Sequence, residues 1–317
     1  LTRLLHAIGR ALAERAYERD LYKGRARWRG AGARVFGGGS MQRREDAESA
    51  GDLLERLLAS PVEYRHALGI LDPAYEEWRP EGKPAHELVF VAGVPLLVVS
   101  SEGEIRILRD PDEAAAGAIA TYLSSRDYNV RDVLGEEALH RVKPHFTDGT
   151  WSYSRNYGVT GDEFRPAPSG HVRALTPDDR SNLQAACDRV ERMRANASTW
   201  RDFDYMAHGL PVTCYGAFAG DELAGFCSAN PICRGVTEIS WIVVDPAHRR
   251  KGFASGMLTA QAQQAFARGD AVGYYSGAAG DDVDAMVRKL GFCELRASYR
   301  FVPSSSPDQW RAWGRPV

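Results

Sequence analysis

The chain has 317 residues, 44% hydrophobic and 10% aromatic, with a formal net charge of −2. That length suits two domains with real cores, and no apolar run reaches membrane-spanning length. Five cysteines without a CxxC pair argue against a disulfide framework, and eight histidines without HxxxH or HExxH spacing give no support for a metal site. No secretory signal with a cleavage site is seen, so a soluble, cytoplasmic protein is expected.

Residues 1–40 carry nine Lys/Arg against three acids, a net +6 that leaves −8 for the remainder. Leu1, Leu4, Leu5, Ile8, Leu12 and Ala16 recur at helical spacing, whereas the Arg-rich stretch from Gly24 onward has no apolar period and reads as extended or loose. Gly37-Gly38-Gly39-Ser40 has the composition of a flexible spacer, and Met41 follows it directly. This is the pattern of an engineered fusion: a basic peptide (1–36), a linker (37–40) and a natural start at Met41. Opposite charge on the two parts fits a tethered substrate or partner peptide. The acidic remainder speaks against a nucleic-acid-binding tail. A crystallisation aid, or a piece of another subunit with no catalytic role, would account for the same residues.

From Met41 the apolar periods predict helices over 45–58 and 61–71, then strands over 87–91, 95–99 and 104–108. Helices follow over 112–124 and 136–143. Hairpins beside helices describe a smaller α+β domain, 41–165. The stretch 151–168, rich in Gly, Pro and Tyr, reads as a linker near the cleft of the next domain.

That next domain, 166–303 with a tail at 304–317, opens on a short strand from His171. A helix to about residue 195 follows, with Thr176 as N-cap and Pro177 in its first turn. Strands at 214–218 and 223–227 flank the turn Gly220-Asp221-Glu222. A run from Ile239 to Val244 stops at Asp245-Pro246 and leads into His248-Arg249-Arg250-Lys251-Gly252-Phe253-Ala254. A helix from Ser255 to about Arg268, a strand over 271–276, a helix over 281–290 stopped by Gly291 and a strand over 293–302 complete the chain. A strand feeding a basic glycine turn and a helix N-terminus is an anion-binding device, because the first helical N–H groups lack internal partners and the dipole favours negative charge there. Neither GxxxxGK[ST] nor GxGxxG occurs, so the turn is not a usual nucleotide loop.

Arg249-x-x-Gly252-x-Ala254 after Val-Asp-Pro resembles the acyl-CoA signature of the GNAT acetyltransferase superfamily, and Lys289-Leu290-Gly291-Phe292 resembles its C-terminal marker. The resemblance covers 170–303 and implies an α+β GNAT fold, a mixed and splayed sheet with flanking helices. The preceding domain is then a candidate degenerate GNAT-like copy. It implies acetyl-CoA, or another acyl-CoA, with its pyrophosphate on Arg249, Arg250, Lys251, Gly252, Phe253, Ala254 and Ser255, and its pantetheine arm along Ile242, Val243 and Val244. Glu238, at the start of that strand, matches the family's general base; a solvated strand-end carboxylate is the plain alternative. The family's usual Tyr acid is replaced by Val287, which leaves Tyr275, Ser276, Tyr299 or a water as proton donor.

These residues imply an acyl-CoA-dependent N-acyltransferase acting on a peptide or protein amine. Lys23, the only lysine of the basic peptide, is the candidate acceptor, though it also reads as one solvated cation among nine. A small-amine or amino-acid acetyltransferase is a second reading. A non-catalytic coenzyme-binding protein in a peptide-regulated or antitoxin-like complex is a third. No nucleic acid or membrane partner is expected.

Overall fold

The computed structural model describes residues 34–36, 53, 56–71, 86–99, 104–123, 129–233, 235–277, 281–304 and 315–316, a few at the ends of elements by backbone alone. The expected peptide helix, Lys23, the 37–40 linker and Met41 lie outside the described residues. Among the described residues, no helix is long and apolar enough to cross a membrane.

The first half runs β1 (Arg34–Phe36), α1 (Arg65–Leu71), β2 (His86–Val91), β3 (Val94–Val99), β4 (Glu104–Ile107), α2 (Glu113–Leu123), β5 (Asn129–Leu134), α3 (Glu136–Val142) and β6 (Gly149–Val159). The second runs β7 (Val172–Ala174), α4 (Arg180–Arg189), α5 (Glu191–Ala195), α6 (Ala197–Ala207), β8 (Thr213–Ala219), β9 (Glu222–Cys233), β10 (Val236–Val244), α7 (Phe253–Ala267), β11 (Ala271–Ser276), α8 (Asp281–Lys289), β12 (Cys293–Glu294), β13 (Ser298–Pro303) and β14 (Arg315–Pro316). This is the expected α+β architecture, a mixed sheet flanked by helices.

The two halves repeat one plan. β2, β3 and β4 are antiparallel neighbours, α2 crosses over, and β5 pairs with β4 in parallel. β8, β9 and β10 are likewise antiparallel, α7 crosses over, and β11 pairs with β10 in parallel. Each half then closes with a helix and a strand, and the closing strands are exchanged. β13 pairs with β5 of the first half, and β6 pairs with β11 of the second. β6 and β13 also pair with each other, so one sheet runs β1-β2-β3-β4-β5-β13-β6-β11-β10-β9-β8-β7. Both closing strands therefore cross the boundary expected at 165/166.

The exchange explains one departure from the sequence expectations, and a second is local to the helices. Residues 149–159 form a strand and not a linker: aromatic residues suit a pleated surface with neighbours on both edges, and Trp151 and Tyr157 are buried. The helix expected to run to residue 195 breaks at Val190, a buried residue with extended backbone (φ −112°, ψ 97°). A further helix, α6, starts behind Asn196, whose side chain accepts the Ser198 N–H at 2.8 Å.

Three apolar clusters position the second half of the sheet. α7 and α8 bury Met257, Leu258, Ala262 and Leu290 against Ile239 and Val272 on one face. α4 to α6 bury Leu183, Met193 and Phe203 against Phe226 and Val243 on the other. Ala67 and Leu68 of α1, with Leu53 and Leu57, cover Val236 at the start of β10. α1 thus brings first-half side chains to the sheet of the second half.

Gly291 closes α8 with φ +90°, and a Cβ built there would lie 2.2 Å from the Glu163 carbonyl oxygen. Gly291→Ala is expected to cost about 2–3 kcal/mol through left-handed strain plus the backbone clash. Urea denaturation checks this; an unchanged midpoint would contradict it.

Candidate active site

β10 and β11 pair from Val236/Ala271 only as far as Ile239/Tyr274. Beyond that point β10 keeps its partners on β9, through an irregularity between Ile239 and Trp241, while Tyr275 and Ser276 stay paired with β6. The two parallel strands therefore part, and residues 240–244 present one open edge. The bulge also resets the alternation of β10, so Ile239, Ile242 and Val244 face the α7 side while Val243 faces α4 to α6.

The wedge opens towards the N-terminus of α7. Asp245 is buried, and its carboxylate accepts the Ala247 N–H at 2.9 Å, which fixes the exit of β10. Arg250 (φ 63°) and Gly252 (φ 82°) are both left-handed, and the Arg250 conformation is a strained one for a non-glycine residue. Gly256 N–H closes the first turn of α7 on Gly252 O at 2.9 Å, so the amides of Phe253, Ala254 and Ser255 precede the helix ladder. This turn suits an anion: left-handed residues converge successive amides, and the helix dipole adds to their field. Arg250 is paired with Asp282 at 2.7 Å on an exposed surface, and Lys251 lies 3.3 Å from His248. Arg249 has no ion pair among the described residues.

The corresponding turn of the first half is closed to anions. There Asp112 accepts the Ala115 N–H at 2.8 Å, and Glu113 occupies the first helical turn. A carboxylate at that helix N-terminus already satisfies the dipole and repels a phosphate.

Glu238 lies at the closed end of the wedge, opposite Gly273. It does not face solvent. Its Oε2 accepts from Arg65 Nε at 2.5 Å and lies 2.5 Å from His66 Nε2, both contributed by α1. Gly273 makes the room, since a Cβ there would meet Arg65 Nε at 2.8 Å. Arg65, 2% exposed, also donates to the Val62 carbonyl at 2.7 Å and to Asn156 of β6 at 3.4 Å. Burial works to raise the Glu238 carboxyl, but the pull of His66 and Arg65 and the hydrogen bonds from both hold it down to about 2. A carboxylate engaged by Arg65 and His66 in this way is a poor proton acceptor, which weighs against the base role, acting through water, expected for it.

Tyr275, on the same strand face as Gly273, is half-buried at the apex of the wedge, where β10 and β11 part, its ring centroid 6.0 Å from that of His66. Glu63, Tyr64, His66, Asn156 and Tyr275 line one cleft. Ser276 points to the opposite face, fully buried, and donates to Asp284 at 2.8 Å, while Asp284 is held by Arg155 at 2.5 Å. So placed, it cannot protonate a leaving group in the cleft. Tyr299 packs in the core of the first half, and Val287 is buried against α7. Of the candidate proton donors only Tyr275 reaches the wedge. Sequence reasoning missed Arg65 and His66, which stand more than 170 positions from Glu238 and carry no motif.

Residues 178–292 match the model of the acetyltransferase (GNAT) family. Among solved structures, a GCN5-related N-acetyltransferase from Kribbella flavida aligns with 78% of this chain and 96% of its own, at 16% identity and a TM-score of 0.51. An acetyltransferase from the GNAT family from Colwellia psychrerythraea aligns with 79% and 97%, at 13% identity and a TM-score of 0.49. No curated protein matches the chain. The split sheet with its glycine turn belongs to the acyltransferase-like α+β folds, and the C-terminal part of this chain, 178–292, is a GNAT acetyltransferase domain.

Glu238→Gln leaves Arg65 buried without its counter-charge and is expected to cost about 3–5 kcal/mol at neutral pH. Because the folded carboxyl is depressed, its contribution is present above the unfolded value near 4.5 and is lost as pH falls towards 2. Denaturation of wild type and variant across that window should show the difference narrowing with acidity; a constant difference would contradict the ion-pair account.

Proposed function

We propose that the protein is an acyl-CoA-dependent N-acyltransferase, with acetyl-CoA the expected donor, acting on an amine of a peptide or protein. The observation that carries this reading is the wedge between β10 and β11, opening on a left-handed basic turn. The amides of Phe253 to Ser255, with Arg249, would hold a pyrophosphate. The open edge of Ile242 to Val244 would bond the amides of a pantetheine arm as a neighbouring strand would. When bound, the coenzyme supplies a thioester whose carbonyl carbon accepts the amine. Tyr275 stands where its hydroxyl can give a proton to the departing sulfur.

One observation bears on the acceptor. β1, the one described part of the basic segment, lies at the far edge of the sheet, seven strand spacings from β11, or about 34 Å. The eleven residues from Lys23 to Arg34 span about 36 Å only when fully extended. Acylation of Lys23 within its own chain would need most of that reach, so this placement favours an acceptor reaching the wedge from another molecule. It also gives weight to the second reading, a small-amine acetyltransferase whose basic segment docks elsewhere and regulates.

Two measurements test the proposal. Calorimetry should show acetyl-CoA binding to the full chain, and Gly252→Val should weaken it about tenfold to a hundredfold through strain at φ 82°. Unchanged affinity would show that the turn is not the pyrophosphate site. After incubation with acetyl-CoA, a mixture of isotopically heavy and light chains should carry any Lys23 mass gain only by intermolecular transfer; gain at a rate independent of chain concentration would contradict the distance argument.

A further inference from the structure

The His66–Glu238 pair is not absorbed by the family resemblance, because His66 comes from α1, in the half without a working anion turn. We infer that His66 is the general base of the transfer, with Glu238 and Arg65 as its positioning residues. This rests on the acyltransferase reading above.

The geometry fixes which ring nitrogen works. Glu238 is ionised and can only accept, so the His66 Nε2 that lies 2.5 Å from it carries the proton. In the neutral ring the lone pair is then on Nδ1, which has no hydrogen bond among the described residues. Arg65 keeps Glu238 ionised and fixes its Oε2, so the carboxylate cannot take the proton itself but holds the ring in one tautomer and stabilises the imidazolium that forms. The ring is a quarter exposed and lies against Tyr275 at the point where β10 and β11 part. A base there faces the start of the open edge, where a thioester held along Ile242 to Val244 would end.

In the transfer, the neutral amine nitrogen attacks the thioester carbonyl carbon. The C–N bond forms and the C–S bond breaks. The proton lost by nitrogen passes to His66 Nδ1, and the thiolate takes one from the Tyr275 hydroxyl. His66 then gives its proton to solvent and Tyr275 recovers one, so the products are an amide and a thiol. The titratable and charged groups around the ring are Glu238 from β10, Tyr275 from β11, and Glu63, Tyr64 and Arg65 from its own segment. Arg296 pairs with Glu63 and donates to Tyr64 at 2.8 Å, on the outer side of that segment.

The test uses the full chain and His66→Gln, which removes a partly exposed ring and leaves the Arg65–Glu238 pair in place. With acetyl-CoA as donor, and the free 1–36 peptide and spermidine as amines, thiol release by His66→Gln should fall about 100-fold or more. Acetyl-CoA affinity should stay within threefold, and the acid limb of the rate profile should disappear. Independently of any acceptor, long-range proton–nitrogen NMR at pH 8 should find His66 in the Nε2–H tautomer in wild type, with a mixture in Glu238→Gln. Release within threefold of wild type, or an Nδ1–H tautomer, would overturn the His66 assignment and leave the acyltransferase reading standing. Failure of wild type to bind acetyl-CoA would overturn that reading and this one together.

Discussion

The structure turns on a pairing that stops. β10 and β11 share a parallel ladder for four residue pairs and then separate, because β10 bulges against β9 while β11 stays bound to β6. An unpaired strand edge inside a sheet is costly unless something completes it. Here the open edge of 240–244 leads straight to a helix N-terminus with unpaired amides, so one extended, amide-bearing, anionic ligand would satisfy both. Gly252 takes its left-handed conformation freely, whereas left-handed Arg250 carries strain at the turn that precedes this helix.

The second constraint is the exchange of closing strands. β6 holds β11 in place and β13 closes the sheet of the first half, so neither half has a complete sheet without the other. The repetition of plan shows what each half retains. Both have three antiparallel strands and a helical crossover. At the critical turn, Asp112 and Glu113 stand in the first half where glycine and cations stand in the second. The first half contributes differently: it supplies α1, whose Arg65 and His66 meet Glu238 across the sheet.

Much of this was legible in the sequence, for local reasons. The strand ending at Asp245-Pro246, the basic turn and the Gly291 stop are signals within a few residues, and the structure reproduces the elements they predict. The strands of the β2–β3 hairpin were legible from the apolar runs on either side of Gly93. Long-range facts were not. Residues 151–159, the first part of the expected 151–168 linker, looked irregular because glycine and tyrosine carry no strong period alone; only pairing on both edges makes them a strand. Ser276 looked equivalent to Tyr275 because adjacent residues of a strand cannot be assigned to faces until the sheet is known. Glu238 looked like a free carboxylate because its partners come from a helix more than 170 positions away.

On the proposed function, acyl-CoA would enter the wedge and turn of the second half and not the matching turn of the first. Hydrogen–deuterium exchange with saturating acetyl-CoA tests it most directly. Slowed exchange is expected at the amides of 242–255, with the 108–113 turn of the first half unchanged. Protection at 108–113, or none at 249–255, would contradict it.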